Sequence, residues 1–283
     1  IYTMNARQQA GGLFKLVPAE SEPPEENAFP QLLSQTGCFL AEDATTAVDG
    51  AIDYSVATPL WSDGAEKRRW MALPDGETIT VEADGDFEFP VGTVLVKEFS
   101  FDGIPHETRL FMRHADGGWG GYSYEWNAAG TDAELLPARK TKTLANGVEW
   151  TYPGREDCFA CHTDAAGHSL GLEIGQLNNT LLYPRTGRMA NQLATLQHIG
   201  AFEDDLPETP AKLAALAGLE QTNQSLRRRA RSYLHSNCSG CHRPGGPAQA
   251  NLDFRFSVTT EDMMACNEAP LQGDLGICLL YTS

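Results

Sequence analysis

Two short strings hold the residue types best suited to chemistry: Cys158-Phe159-Ala160-Cys161-His162 and Cys238-Ser239-Gly240-Cys241-His242. Two thiols separated by two residues can reach both vinyl groups of one porphyrin and form thioethers. The His that follows then lies beneath the iron and binds it through Nε2. Its Nδ1–H needs an acceptor, usually a backbone carbonyl, which fixes the ring. The spacing predicts two covalent haem c groups, on Cys158 and Cys161 and on Cys238 and Cys241, with His162 and His242 as proximal iron ligands. A zinc ribbon also uses Cys-x-x-Cys pairs, but about 15–20 residues apart. Cys161 and Cys238 are far more widely separated, and a His follows each pair. A dithiol redox pair expects one motif in a βαβ setting, which the sequence lacks.

Candidates for the sixth iron ligand are spread more widely. Met189 follows the first motif at helical spacing with Leu193, Leu196 and Ile199, where a His/Met site could place its sulfur. His235 lies one turn before Cys238 and could cap the neighbouring haem. His198 and His168 are further candidates, although His168 is close to its own motif. Met263 or Met264 could serve the second haem. A lone Met on an apolar helix face is otherwise core.

The elements that must position these residues differ along the chain. Residues 1–30 read as a lead-in, and 17–30 are rich in Pro and Glu, as in an exposed linker. Residues 31–153 read as a β-rich module. Ile79 and Val81 alternate with Thr80. Tyr122, Tyr124 and Trp126 alternate with Ser123, Glu125 and Asn127, as in a half-buried strand. Residues 93–101 and 108–113 are further strand candidates. Asp84-Gly85, Asp102-Gly103 and Asp116-Gly117-Gly118 supply turns. The expected module is an antiparallel sandwich or barrel. Beyond it a mainly α-helical dihaem region is expected, one haem in 154–220 and the other in 221–277. Pro210 starts a helix through Leu213, Leu216 and Leu219. Leu226, Ala230, Tyr233 and Leu234 form the apolar face of another, capped by Thr222 or Asn223 and leading into Cys238. The fold class is therefore α+β multidomain.

Composition narrows the functional classes. The 283 residues carry 21 basic and 38 acidic groups, a net charge of −17. Such a surface repels nucleic-acid phosphates and could steer a basic redox partner. No apolar run reaches the ~18 residues of a membrane span. The chain opens on Ile1, as the inside of a longer reading frame does, so the missing export signal says nothing of compartment. Residues 278–283 read as a foreign tail, which leaves Cys278 without a role. Cys38 and Cys266 either pair as a disulfide in an oxidising compartment or stay as separate thiols.

Longer strings carry a resemblance. They are Pro59-Leu60-Trp61-Ser62-Asp63-Gly64-Ala65-Glu66-Lys67-Arg68-Arg69-Trp70, Phe89-Pro90-Val91-Gly92-Thr93-Val94-Leu95-Val96-Lys97, Leu170-Gly171-Leu172, Gln176-Leu177-Asn178 and Tyr233-Leu234-His235. From about residue 32 to 277 the chain resembles an uncharacterised family of bacterial dihaem c-type cytochrome-like proteins. The resemblance implies electron transfer on the periplasmic or extracellular side of a bacterial membrane, with a redox protein partner such as a quinoprotein dehydrogenase. It also implies a Met-Pro-Pro segment beyond Gly276, whose Met would be a distal ligand; this chain departs from the pattern there.

Two other readings stand beside electron transfer. A dihaem peroxidase-like enzyme would need one open iron and acid/base groups above it, for which only Glu156 and His168 lie near a motif. A ligand-binding β module with redox-linked haems is the other. The string from Asp63 to Trp70 reads as a solvated turn with Trp70 anchored in the β core. His106 and His114 are a weak metal pair. Trp119, Tyr122, Tyr124 and Trp126 read as sheet packing rather than a sugar platform.

Overall fold

The computed structural model of the chain describes residues 2–5, 12–15, 29–249 and 251–265. Two units are present, Ile1–Gln31 and Leu32–Ser283. In the first, Tyr2–Asn5 pairs antiparallel with Gly12–Lys15. Most of the Pro- and Glu-rich stretch, Cys266 and the 278–283 tail lie outside the described residues.

The second unit is built on one six-stranded antiparallel sheet. Its strands are β1 (Ile52–Asp53), β2 (Glu66–Ala72), β3 (Val94–Phe101), β4 (Ile104–Arg113), β5 (Trp119–Trp126) and β6 (Ala133–Leu135), and their spatial order follows the chain. The turn chemistry explains this meander. Asp102 and Gly103 join β3 to β4 with φ of 50° and 74°, both in the left-handed region that a tight hairpin requires. Gly117, at φ 81°, closes the turn into β5. The expected antiparallel β sheet is present; the 108–113 candidate falls within β4, and the 93–101 candidate matches β3 apart from Thr93.

One face of the sheet carries Trp70, Val96, Leu110, Tyr122 and Tyr124, all buried. Residues preceding β1 cover it, with Phe39 meeting Trp70 edge-on at 5.7 Å. Trp126 donates to Thr108 Oγ1 across this face. The opposite face carries Tyr54, Met71, Leu95 and Phe111. They share a core with Leu172, Ile174, Leu177, Leu193, Leu196 and Phe202 from beyond residue 153. Ser123 is accordingly buried as well as Tyr122 and Tyr124, so β5 is covered on both sides rather than half-buried. The chain after Pro153 packs onto the sheet and completes its core.

Among the described residues the expected large helical region is not found. The α-helices after Pro153 are, among the described residues, α1 (Arg155–Cys158), α2 (Ile174–Leu177), α3 (Gln192–His198) and α4 (Leu226–Cys238), and only α4 exceeds seven residues. Local polar groups limit the others. Asn191 caps α3 by accepting from the Ala194 N–H, so the helix cannot start earlier. Met189 therefore stands in a strand, Arg188–Asn191, opposite Leu182 of Thr180–Tyr183. Pro210 starts only one 3₁₀ turn, Pro210–Lys212. The Asn178 amide takes the Pro210, Leu213 and Ala214 carbonyls, which a longer helix would use itself. Ser225, rather than Thr222 or Asn223, caps α4 through the Arg228 N–H. Leu226, Ala230 and Tyr233 face outward on α4, and Ser232 is buried instead, donating to the Arg228 carbonyl and accepting from Ala217 N–H. Among the described residues no helix is long and apolar enough to cross a membrane.

Candidate haem-attachment site

Both motifs adopt one turn. At the first, Gly154 and Asp157 cap α1 reciprocally: Gly154 N–H donates to Asp157 Oδ2 (2.9 Å) and Asp157 N–H to the Gly154 carbonyl (3.1 Å). The turn then continues through Cys161 N–H and His162 N–H, which donate to the Cys158 carbonyl at 3.2 and 2.9 Å. At the second, α4 delivers Cys238, and Cys241 and His242 N–H donate to its carbonyl at 3.1 and 2.8 Å. Residues three apart in such a turn share a face. In each motif the two cysteines are thus three residues apart in one turn, with the His next in line; at the first, Cys158 is half-buried and Cys161 exposed.

The motifs also touch each other. Thr163 Oγ1 donates to the Gly240 carbonyl at 2.9 Å. Cys241 Sγ lies 3.8 Å from the Ala160 carbonyl. A Cβ built on Gly240 would sit 3.6 Å from the Cys161 carbonyl oxygen, so the backbones nearly meet. The four thiols, with Cys38, are free. Burial raises the Cys158, Cys161 and Cys238 thiols above their ordinary range, which keeps them protonated near neutrality.

His162 has the orientation the spacing calls for. Its Nδ1 lies 2.5 Å from the His168 carbonyl, an acceptor that puts the proton on Nδ1 and leaves the Nε2 lone pair bare. The loop is reciprocal, since the His168 Nδ1 meets the His162 carbonyl at 3.0 Å. Burial, reinforced by the charge of Lys97, pushes His162 down to about 3, so the ring is neutral at ordinary pH. The Phe111 ring covers it at 4.1 Å and is itself stacked on Trp119 at 4.9 Å. His242 differs: its Nδ1 is buried and has no hydrogen-bond partner. Phe254 meets its ring at 5.2 Å and donates its N–H to the His242 carbonyl.

The other candidates are placed elsewhere. Met189 is 72% exposed on its hairpin. Both ring nitrogens of His235 are engaged: Nε2 with Glu173 Oε1 at 2.5 Å, and Nδ1 with the Phe256 N–H at 3.0 Å. A cavity of about 530 Å³ opens beside that pair, lined by Asp86, Glu173, Arg243 and Arg255 among others. Burial and the Glu173 charge raise Asp86 to about 6. Met263 is buried and Met264 exposed. His198 ends α3, and His168 is tied to His162 and Asp164. His114 meets the Tyr122 hydroxyl at 3.0 Å and His106 lies against Phe101. Among the described residues no cluster of three His, Cys, Asp or Glu is arranged to hold a metal ion.

The sheet contributes residues that sequence reasoning passed over. Cys158 packs onto β5 at Gly121, His162 onto Phe111 of β4, and the charges of Arg109 and Lys97 reach Cys161. Lys67, Arg69, Lys97 and Arg109 share this face. The available signal was Lys97 at an inward position between Leu95 and Phe99 in a strand otherwise suited to burial. The donor set at the first motif, two free thiols and a neutral imidazole with a bare Nε2, suits a c-type haem, and the second motif repeats its spacing and turn. No family model, curated protein or solved structure matches this chain.

Proposed function

We propose that this chain is a dihaem c-type cytochrome that moves electrons between its two haems and a protein partner. The observation that carries this reading is the contact between two Cys-x-x-Cys-His turns of the same form, joined by the 2.9 Å bond from Thr163 to Gly240. Attachment points in contact keep two haems adjacent, which suits electron passage better than two separate reactions. The haem supplies a reversible one-electron change at iron. The chain supplies the rest. Cys158, Cys161, Cys238 and Cys241 would hold the two haems through thioethers, and His162 and His242 would bind their irons. The His168 carbonyl fixes the His162 tautomer and makes the imidazole a stronger donor. The acidic surface, net −17, would guide a basic partner, a dehydrogenase of the quinoprotein type being the expected class. Thioether formation belongs to an oxidising compartment, and the periplasmic side of a bacterial membrane is the expected location.

An optical spectrum of the chain, produced in a host that attaches haem c outside the cytoplasm, tests the electron-transfer role. We expect two low-spin haems whose bands do not change when cyanide or hydrogen peroxide is added. A high-spin iron that binds peroxide and turns over would replace this reading with that of an enzyme.

A further inference from the structure

A row of side chains crosses the sheet face beside the first motif. Tyr54 lies opposite Arg69, to whose carbonyl its N–H donates. Arg69 is paired with Lys97, and Lys97 with Arg109. Cross-strand partners point to the same face, so three cations and a phenol are aligned. Only Arg109 has a carboxylate, held in a two-pronged ion pair with buried Glu107. Among the described residues Lys97 has no hydrogen-bond or ion-pair partner. Arg69 has one long contact, 3.5 Å from Nη1 to the Lys67 carbonyl. Lys67, next on the same strand face, donates to the Leu60 carbonyl. Tyr54 is 4% exposed, and its hydroxyl is buried with no partner. A buried hydroxyl left without a partner is destabilising. Burial and mutual repulsion lower Lys97 to about 7 and Lys67 to about 8. Among the described residues Tyr54, Arg69 and Lys97 have no anionic acceptor.

We propose that Tyr54, Arg69 and Lys97 form a carboxylate-binding row, and that its occupant is the propionate pair of the haem attached at Cys158 and Cys161. This rests on the haem reading above. Distance favours it. Cys158 sits over Gly121 of β5. Lys97 and Arg69 lie two and three strands away, about 10 and 14 Å across the sheet at the usual ~4.8 Å spacing, and two residues along the strands from the row opposite Gly121. A porphyrin carries its carboxylates on the edge opposite its vinyl groups, so a haem held at Cys158 would bring them across those strands. The sheet is then one wall of the haem site, and not a separate docking module.

The test uses the matured full-length chain, with haem counted by intact mass before potentials are measured. In Arg69→Gln and Lys97→Gln, both haems should remain. One of the two midpoint potentials should move to more negative values, because a nearby positive charge favours the reduced iron. That potential should also acquire a pH slope between about pH 5 and 8, since propionates without cations hold protons more tightly. Lys97→Arg should restore the parent profile. Tyr54→Phe removes one hydroxyl, keeps the fold, and should give a smaller shift of the same sign. Variants that keep two haems, parent potentials and parent slopes overturn the proposal while leaving the haem reading intact. A parent chain without haem overturns both.

Discussion

Gly121→Ala is expected to release the first motif from the sheet. A Cβ at Gly121 would lie 2.3 Å from Cys158 Sγ, closer than real Cβ contacts, and 3.1 Å from Cys158 Cβ, a tight one. Phe111 would be in ordinary contact at 3.7 Å, so the clash is with Cys158. Overpacking of this kind costs about 1–3 kcal/mol, and the strain falls on a sulfur that has a covalent task. Gly121→Ala should lower the unfolding midpoint and lose or weaken haem attachment at the first motif, with the second retained. Gly117, an exposed turn glycine with nothing within 4 Å of its Cβ position, is a control whose alanine variant strains only its own backbone. Its haem content should equal that of the parent. Denaturant melts and haem counting on the two variants decide the point. Full attachment in Gly121→Ala would show that Cys158 does not need its seat on β5.

Glu107→Ala should be the most destabilising single change in the sheet. The Glu107 side chain is fully buried. It accepts from Arg109 Nε and Nη2, both at 2.8 Å, and from Trp150 Nε1 at 3.0 Å. It is also the carboxylate that offsets the cationic row. Removing one partner of a buried pair costs about 3–5 kcal/mol, because the other charge is left uncompensated. Arg109 would then face its cross-strand partner Lys97 without the carboxylate beside it. Glu107→Gln keeps the shape and the Trp150 acceptor, and should recover part of the loss. Chemical denaturation at neutral pH measures both. A loss below about 1 kcal/mol in Glu107→Ala would mean that the pair behaves as an exposed one.

The sequence was readable where a signal is local. Asp102-Gly103 can occupy two left-handed positions in a row, so a hairpin there follows from residue type alone. The alternation of Tyr122, Tyr124 and Trp126 marked β5 for the same reason. The motif spacing also required an acceptor for the His162 Nδ1–H, which the chain supplies six residues on at His168. What escaped depends on contacts distant in sequence. The spacing of Met189, Leu193, Leu196 and Ile199 suits a helix, but the Asn191 cap cuts it short and Met189 joins a hairpin. Leu226, Ala230 and Tyr233 form an apolar stripe, yet α4 buries Ser232 because that hydroxyl satisfies the Ala217 N–H. His235 lies at a suggestive spacing before Cys238, but Glu173, 62 residues away, holds its Nε2. Arg69 lies in a string that reads as a solvated turn, but from Glu66 on the string is strand β2, and register puts Arg69 opposite Lys97, whose charge reaches Cys161.

Everything above turns on whether these sulfurs hold porphyrin. Intact mass spectrometry of the chain, matured in a host competent for haem c and stripped with acidified acetone, addresses this directly. The account predicts a polypeptide heavier by two haems. It also predicts the loss of one when Cys158 and Cys161 are replaced by Ala, and of the other when Cys238 and Cys241 are. An unmodified mass, or zinc retained by the thiols in its place, would contradict it.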